Sequence, residues 1–329
     1  METDPRAQVV VRGGVICLGR RVTVSFHRTL RVPDNGDNYP LPPSFGRMMP
    51  YACAAHRNQV PRDWLLPDSF FIPLHQREAL WLGFDGQAWH PSALVIGAEG
   101  VNVITGEPWD VPLSASAQNY VVVPDQPWLD GIRTATGLVR QFIAVPLGEG
   151  FTLSEQMQTT STHHGIQLRV HEAKPGRFAE ESPQNHGRLD DIMPQRTAVP
   201  GRGLGIGAGG AIVQRIYPDP YGIASWEIEP AACAHIQIVN SAEFATITGE
   251  LPPPSPISAA DYTANGLPWF ELWDEERGDL GSHPALERIR SIGTIDASRS
   301  RKRRERPIPI ADAQIKKIGR GTPPRSPKR

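Results

Sequence analysis

Short apolar runs, many of them alternating with polar residues, cover most of the chain. Residues 22–26 (VTVSF) and 166–170 (IQLRV) place an apolar residue at every second position. A period of two is typical of half-buried antiparallel strands. The chain has 33 prolines and 31 glycines, which interrupt almost every run. The pattern therefore predicts a mainly β body, a β-sandwich or jelly-roll-like fold with a few short helices.

Helical signals are few. Residues 282–289 (SHPALERI) combine a serine cap with a proline in the first turn, and residues 258–264 (SAADYTA) also begin at a serine. Both segments predict helices of one or two turns. Because strands do not alternate with helices of ten or more residues, a doubly wound parallel sheet is disfavoured.

Charge and turn composition suggest how the chain is divided. We expect a disordered N-terminus at 1–6, a first β-rich half at 7–173, a loop or linker at 174–203, a second half of the same body at 204–297 and a disordered basic tail at 298–329. From Arg299 onward there are twelve Lys or Arg against Glu305 and Asp312, a charge of +10. The whole chain carries −1, so the remainder carries −11. A segment this basic, without aromatic residues, predicts disorder.

Composition also excludes several classes of protein. The three cysteines, Cys17, Cys53 and Cys233, form no CxxC pair and lie among small or apolar neighbours, which indicates buried free thiols. The start of the chain is acidic and polar, unlike a secretory signal, and no apolar run approaches the length of a transmembrane helix. These features predict a soluble protein of the reducing cytoplasm, with no cofactor.

Two blocks of sequence recur. Residues 104–107 and 247–250 both read ITGE, and each leads to a tyrosine (Tyr120, Tyr262) and a Pro-Trp pair. A duplication would explain this echo, and so would chance similarity between turns. The ITGE blocks, with residues 124–131 (PDQPWLDG) and 266–270 (GLPWF), resemble a family of uncharacterised bacterial proteins over about residues 22–296. The resemblance implies one ordered body in a bacterial cytoplasm; the family has no known activity, so no catalytic residues follow from it.

A glycine run at 203–210 contains GxGxxG but lacks the preceding strand and following helix of a dinucleotide site, so it predicts a flexible entry into a strand. No metal site is predicted either. The histidines that come closest to one are His163, His164 and His171, which could converge only if the chain turns at Gly165.

Acidic residues flank several tryptophans. Aromatic residues beside acids are what a cleft for a polar or carbohydrate ligand needs, and they also occur where the strands of a β-rich core reach the surface. The candidate catalytic residues are Glu107, Asp125 and Asp130, and the candidate ligand-binding residues are Trp109, Trp128 and Trp269.

The basic tail is either a solvated terminus or an arm for nucleic acid or another polyanion. Its candidate contact residues are Arg301, Lys302, Arg303, Arg304, Lys316 and Lys317.

We take a non-enzymatic binding or interaction protein of unknown ligand as the first interpretation. The alternatives are a hydrolase that uses carboxylates near Trp109, Trp128 and Trp269, and a protein that binds polyanions without sequence preference through its tail. The sequence does not decide whether the chain is an enzyme.

Overall fold

The computed structural model describes residues 9–159, 163–181, 204–272, 278–300 and 305–318. Strands account for 38% of the chain and helices for 16%, so the mainly β prediction is confirmed. No helix in these ranges is long and apolar enough to span a membrane.

Nineteen strands and five short helices occur in the described residues. The strands are β1 (Val9–Arg12), β2 (Val15–Leu18), β3 (Val22–Thr29), β4 (Asn38–Tyr39), β5 (Ser44–Met48), β6 (Tyr51–Ala52), β7 (Ser69–Leu74), β8 (Ala79–Asp85), β9 (Ser92–Ala98), β10 (Val101–Asn102), β11 (Val121–Val123), β12 (Trp128–Leu129), β13 (Gly131–Ala135), β14 (Leu138–Pro146), β15 (Ile166–His171), β16 (Leu204–Val213), β17 (Ala232–Asn240), β18 (Trp269–Leu272) and β19 (Ile315–Ile318). The helices are α1 (Leu153–Met157), α2 (Ser241–Thr248), α3 (Ala259–Ala264), α4 (Pro284–Glu287) and α5 (Ile292–Ser300).

Seventeen of these strands form one continuous sheet, in which two runs can be followed. The first run is β1-β2-β3-β8-β14-β16, and the second is β11-β9-β15-β17-β7-β6. The runs join where Leu204 of β16 pairs with Ile238 of β17. Most pairs are antiparallel, and β17–β7 and β16–β4 are parallel. Strands before and after the 182–203 segment pair with each other, so both halves of the chain belong to one sheet.

The period of two in the sequence determines which side chains enter the core. In β3, Val22, Val24 and Phe26 are buried, while the alternate side chains are only half-buried. A single apolar cluster contains residues of both runs, among them Leu82 from the first and Leu168 from the second. The two runs therefore enclose one shared core, as in a sandwich.

The glycine run is a strand and not a flexible entry to one. It forms most of β16, which pairs with β14 along its whole length. A Cβ at Gly207 would lie 2.8 Å from the carbonyl oxygen of Phe151, and one at Gly210 would lie 2.5 Å from that of Pro33. The glycines are thus explained by close approach of neighbouring backbone.

Both predicted helices form. The hydroxyl of Ser258 caps α3 by accepting from the Asp261 amide at 3.1 Å. In α4 the residue before the helix is His283, so the serine predicted as its cap lies one residue too early. All three cysteines are free; Cys53 is buried, and Cys17 and Cys233 are half-buried.

The ITGE echo does not reflect equivalent structures. The first copy lies in a turn after β10, where the side chain of Asn102 accepts from two backbone amides. The second copy ends α2. The two share a glycine in the left-handed region, Gly106 with φ 77° and Gly249 with φ 74°. They also share a threonine hydroxyl that accepts from the amide of the glutamate two residues on, at 3.4 Å in the first copy and 3.1 Å in the second. The echo is therefore a similarity between turns.

The described part of the C-terminal segment corrects one expectation. Disorder was predicted from 298 to 329, but residues 305–318 pack on the body. β19 pairs in parallel with β18, Ile318 is buried, and Glu305 forms an ion pair with Arg31. Lys316 and Lys317 lie on β19 and are exposed. The other predicted polyanion contacts, Arg301, Lys302, Arg303 and Arg304, lie outside the described residues, as do 1–6 and 319–329.

Candidate functional site

The three candidate carboxylates occupy different environments. Asp130 is fully buried, where its Oδ2 accepts from Gln214 Nε2 at 2.7 Å and its backbone amide donates to Gln214 Oε1 at 2.9 Å. Asp125 is half-buried in the turn between β11 and β12, and Glu107 is exposed in the turn after β10. Asp130 therefore ties β12–β13 to the chain after β16, which is a structural role.

The three candidate tryptophans all lie inside the protein. Trp269 is fully buried, with its Nε1 donating to Thr263 Oγ1 at 3.0 Å and its ring edge-on to Tyr262. Trp128 is 5% exposed and belongs to the main core, and Trp109 is 7% exposed. Rings this deeply buried do not present the open stacking face that a sugar needs.

Trp109 and His163 are the two predicted site residues that the structure brings together. Their rings meet edge-on with centroids 6.0 Å apart, and His235 of β17 stacks on His163 at 5.1 Å. The guanidinium of Arg169 lies 5.7 Å from the Trp109 ring. Burial, reinforced by His163, lowers the pKa of His235 to about 4. This cluster covers the outer face of β15 and β17.

His164 and His171 point to other partners. Glu99, fully buried and with a φ of 55°, accepts from His164 Nδ1 at 3.0 Å and from the amides of Gly165 and Ile206. Burial raises the pKa of Glu99, and the hydrogen bond with Glu99 raises the pKa of His164. His171 contacts the carbonyl of Glu227. Within the described ranges, no three His, Cys, Asp or Glu side chains are grouped so that they could hold a metal ion.

A pocket of about 90 Å³ lies where β3 and β5 face β6, β7 and α2. Apolar side chains form much of its wall, including Phe45, Met48, Met49 and Phe244. The proline-rich segment at 251–254 runs along its edge. A concave, partly apolar site between two runs of strands is a usual place for a small ligand.

The polar part of this pocket, which we call the arginine pocket, centres on Arg28. The Arg28 side chain is buried, its Nε donates to Glu78 and its Nη2 donates to the carbonyl of Pro254. Burial raises the pKa of Glu78, while Arg28 opposes the shift. Arg47 is exposed at the rim. Neither Arg28 Nη1 nor the Arg47 guanidinium has a hydrogen-bond or ion-pair partner among the described residues.

Two further polar groups complete the arginine pocket. The hydroxyl of Tyr51 donates to Glu250 Oε2 at 2.6 Å. Burial, with Glu250 as a second cause, raises the pKa of Tyr51, so this phenol stays protonated. The pocket is thus lined by the buried Arg28, which is paired with Glu78, and by one exposed charge of each sign, Arg47 and Glu250.

Sequence reasoning overlooked Arg28, although a signal was present. In β3 the inward positions are Val22, Val24, Phe26 and then Arg28. A charged residue that continues an inward-facing apolar series must find a partner or a function.

Comparison of the chain with protein-family models, curated proteins and solved structures found no match.

Proposed function

We propose that this chain is a binding protein whose arginine pocket takes a small carboxylate with an apolar body. The observation that carries the proposal is the buried guanidinium of Arg28, which keeps one donor group without a partner among the described residues, beside apolar walls. Guanidinium groups bind carboxylates through paired N–H donors, and apolar walls contribute by removing hydrocarbon from water.

Two arginines have different roles in this proposal. Glu78 already compensates Arg28, so Arg28 acts mainly as a positioned donor. Arg47 supplies the charge that a ligand carboxylate would neutralise. Glu250, which also lines the pocket, carries the opposite charge and would repel a ligand carboxylate. Binding should therefore weaken without Arg47 and strengthen without Glu250.

The test uses the methionine methyl groups as reporters. The chain has five methionines, of which Met48 and Met49 line the pocket and Met157 lies on α1. Titration of ¹³C-methyl-methionine protein with hexanoate should shift the signals of Met48 and Met49 and leave that of Met157 unchanged. Hexanol, which has the same chain without the charge, should bind more weakly.

Variants of the two exposed charges test whether a positive charge favours, and a negative charge opposes, hexanoate binding. Arg47→Gln should weaken hexanoate binding about two- to fivefold, which is the range expected for one partly exposed ion pair. Glu250→Gln should strengthen it by a similar factor. Arg57→Gln, an exposed arginine elsewhere, is the matched control. The proposal would be refuted if Arg47→Gln bound hexanoate more tightly and Glu250→Gln bound it more weakly, or if the wild-type protein bound hexanol as tightly as hexanoate. Arg28 itself is changed only together with Glu78, because a lone buried Glu78 destabilises the fold.

A second candidate function is binding of a polyanion through the C-terminal basic segment. It is favoured by the exposure of Lys316 and Lys317 on β19. Full-length protein should bind duplex DNA without sequence preference at low salt, with a log–log salt slope of about −0.9 per phosphate contact. Replacing both lysines by glutamine should flatten that slope. An unchanged slope would exclude these two residues as contacts.

A further inference from the structure

The outer face of β3 carries a serine and a histidine in line, and a second serine on the neighbouring strand β5 continues the series. Ser25 and His27 are two residues apart on the strand, so they share its outer face, and both are half-buried. His27 Nε2 lies 2.8 Å from Ser25 Oγ, and its Nδ1 lies 3.0 Å from Ser44 Oγ of β5. This is the order of a nucleophile, a base and a group that orients the base.

The neighbouring residues hold this arrangement in place. The ring of His27 stacks on Trp81 with centroids 3.8 Å apart and planes only 4° from parallel, which fixes the imidazole. Ser25 pairs with Gly83 of β8, and a Cβ at Gly83 would lie 2.6 Å from Ser25 Oγ. The glycine therefore leaves the space that the Ser25 hydroxyl occupies.

The hydrogen-bond distances favour one orientation of the protons. Ser25 Oγ is 3.4 Å from the carbonyl oxygen of Gly83, which is long for an O–H···O bond, but only 2.8 Å from His27 Nε2. The Ser25 hydroxyl is thus better placed to donate to His27. The ring then carries its proton on Nδ1 and donates it to Ser44, whose oxygen also accepts from the Gly46 amide at 3.2 Å.

From this geometry we propose that Ser25 is a nucleophile activated by His27 and that the chain hydrolyses activated carboxylic esters at this place. Ser25 Oγ bonds to the carbonyl carbon while its proton passes to His27 Nε2. The ester C–O bond then breaks and the alcohol leaves with that proton. Water, deprotonated by the same nitrogen, releases the acid and restores the Ser25 hydroxyl. Ser44 is a positioning residue, because it acts only through His27.

This activity uses other side chains than the arginine pocket. His27 faces away from the core and Arg28, the next residue, faces inward, so the Ser25–His27 pair and the Arg28–Glu78 pair lie on opposite sides of β3. Arg47 of β5, at the rim of the arginine pocket, is the cross-strand partner of His27, so the two sites are neighbours at this edge. The carboxylates on which the sequence-based hydrolase hypothesis depends take no part here.

The test uses a fluorophosphonate, which reacts with activated serines. In this reaction Ser25 Oγ bonds to phosphorus, fluoride leaves, and the proton passes through His27 to water. Intact-mass analysis of the full chain should show one phosphonyl group, and peptide mapping should locate it on Ser25. No adduct, or an adduct on another serine, would overturn the proposal.

Variants separate chemistry from packing. His27→Phe keeps a ring against Trp81 but removes the base, so labelling should fall at least tenfold while circular dichroism and the melting temperature show a folded protein. Ser44→Ala should slow labelling and Ser44→Thr should restore it, since threonine keeps the hydroxyl. Thr23→Ala, on the same face two residues earlier, should label at the wild-type rate. Undiminished labelling of folded His27→Phe would show that His27 is not the base.

Discussion

Replacement of Ile318 by alanine tests whether the C-terminal segment belongs to the folded body. Ile318 is 8% exposed at the end of β19, which pairs with β18 over four residues. Ile308 and Ile310 of the same segment pack against the main core. If residues 305–318 are docked, shortening a buried isoleucine must destabilise the protein; if they formed a free arm, the change would have no effect.

The expected loss can be bounded from both sides. Truncation of a buried isoleucine to alanine costs about 2–5 kcal/mol, and a site at the edge of the body, where neighbours can relax, lies near the lower end. The loss also cannot exceed the free energy with which the segment docks, since beyond that point the segment detaches while the rest stays folded. We therefore expect about 2 kcal/mol, or a fall in melting temperature of about 3–4 °C for a body of this size.

Urea denaturation followed by tryptophan fluorescence measures this change. Lys317→Ala is the matched control, because its side chain is exposed on the neighbouring position of β19 and should change stability by less than about 0.5 kcal/mol. A truncation that ends at Arg304 should lose at least as much as Ile318→Ala. Equal melting of the truncated and full-length chains would refute the docked arrangement.

Two other changes test the sheet and a buried ion pair. Gly210→Ala should destabilise the protein by more than about 1 kcal/mol in urea denaturation, because the added Cβ would lie 2.5 Å from the carbonyl oxygen of Pro33. Gly281→Ala is the control and should be nearly neutral, since the space around Gly281 is open. Equal stability of the two variants would contradict this packing. Folding raises the pKa of His164 through its hydrogen bond with Glu99, so the stabilisation that this contact gives the protonated imidazole is fully present below the ordinary histidine value of 6.5 and is lost as the pH rises through the raised pKa. The stability difference between wild type and His164→Asn should accordingly shrink as the pH rises above 6.5, and a difference that grows would show that the sign is wrong.

The strand pattern could be predicted because the burial of one face of a strand produces a local alternation of apolar and polar residues. Alternation in residues 22–26 marks the two faces of β3 correctly, and Ser258 marks the start of α3. In β15 the same alternation marks the side that enters the core, but the polar side chains of Gln167 and Arg169 are buried as well, so this strand is not half-buried. The strand formed by the glycine run was harder to predict. Its glycines are required by the backbone of residues far away in the chain, Phe151 and Pro33, and no local pattern contains that information.

The C-terminal segment shows a related difficulty. Its composition is that of a disordered arm, yet spaced isoleucines at 308, 310 and 318 supply apolar contacts that dock it. Average composition hides such spacing, because twelve cations dominate the count. The charge balance predicted where the segment is basic but not which of its residues are held on the body.

The candidate sites were the least predictable part, and the reason is physical. A binding or catalytic group is recognised by its neighbours, and the neighbours here come from distant parts of the chain: Arg28 meets Glu78 and Pro254, and His27 meets Ser44. What the sequence does retain is the break that such a group makes in the local pattern of apolar and polar residues. Arg28 breaks an inward-facing apolar series, and burying an unpaired charge would cost more than the strand gains by extending. A charge in an otherwise apolar inward series of a strand is therefore a stronger indication of a site than the exposed acids and tryptophans that are more conspicuous in this sequence.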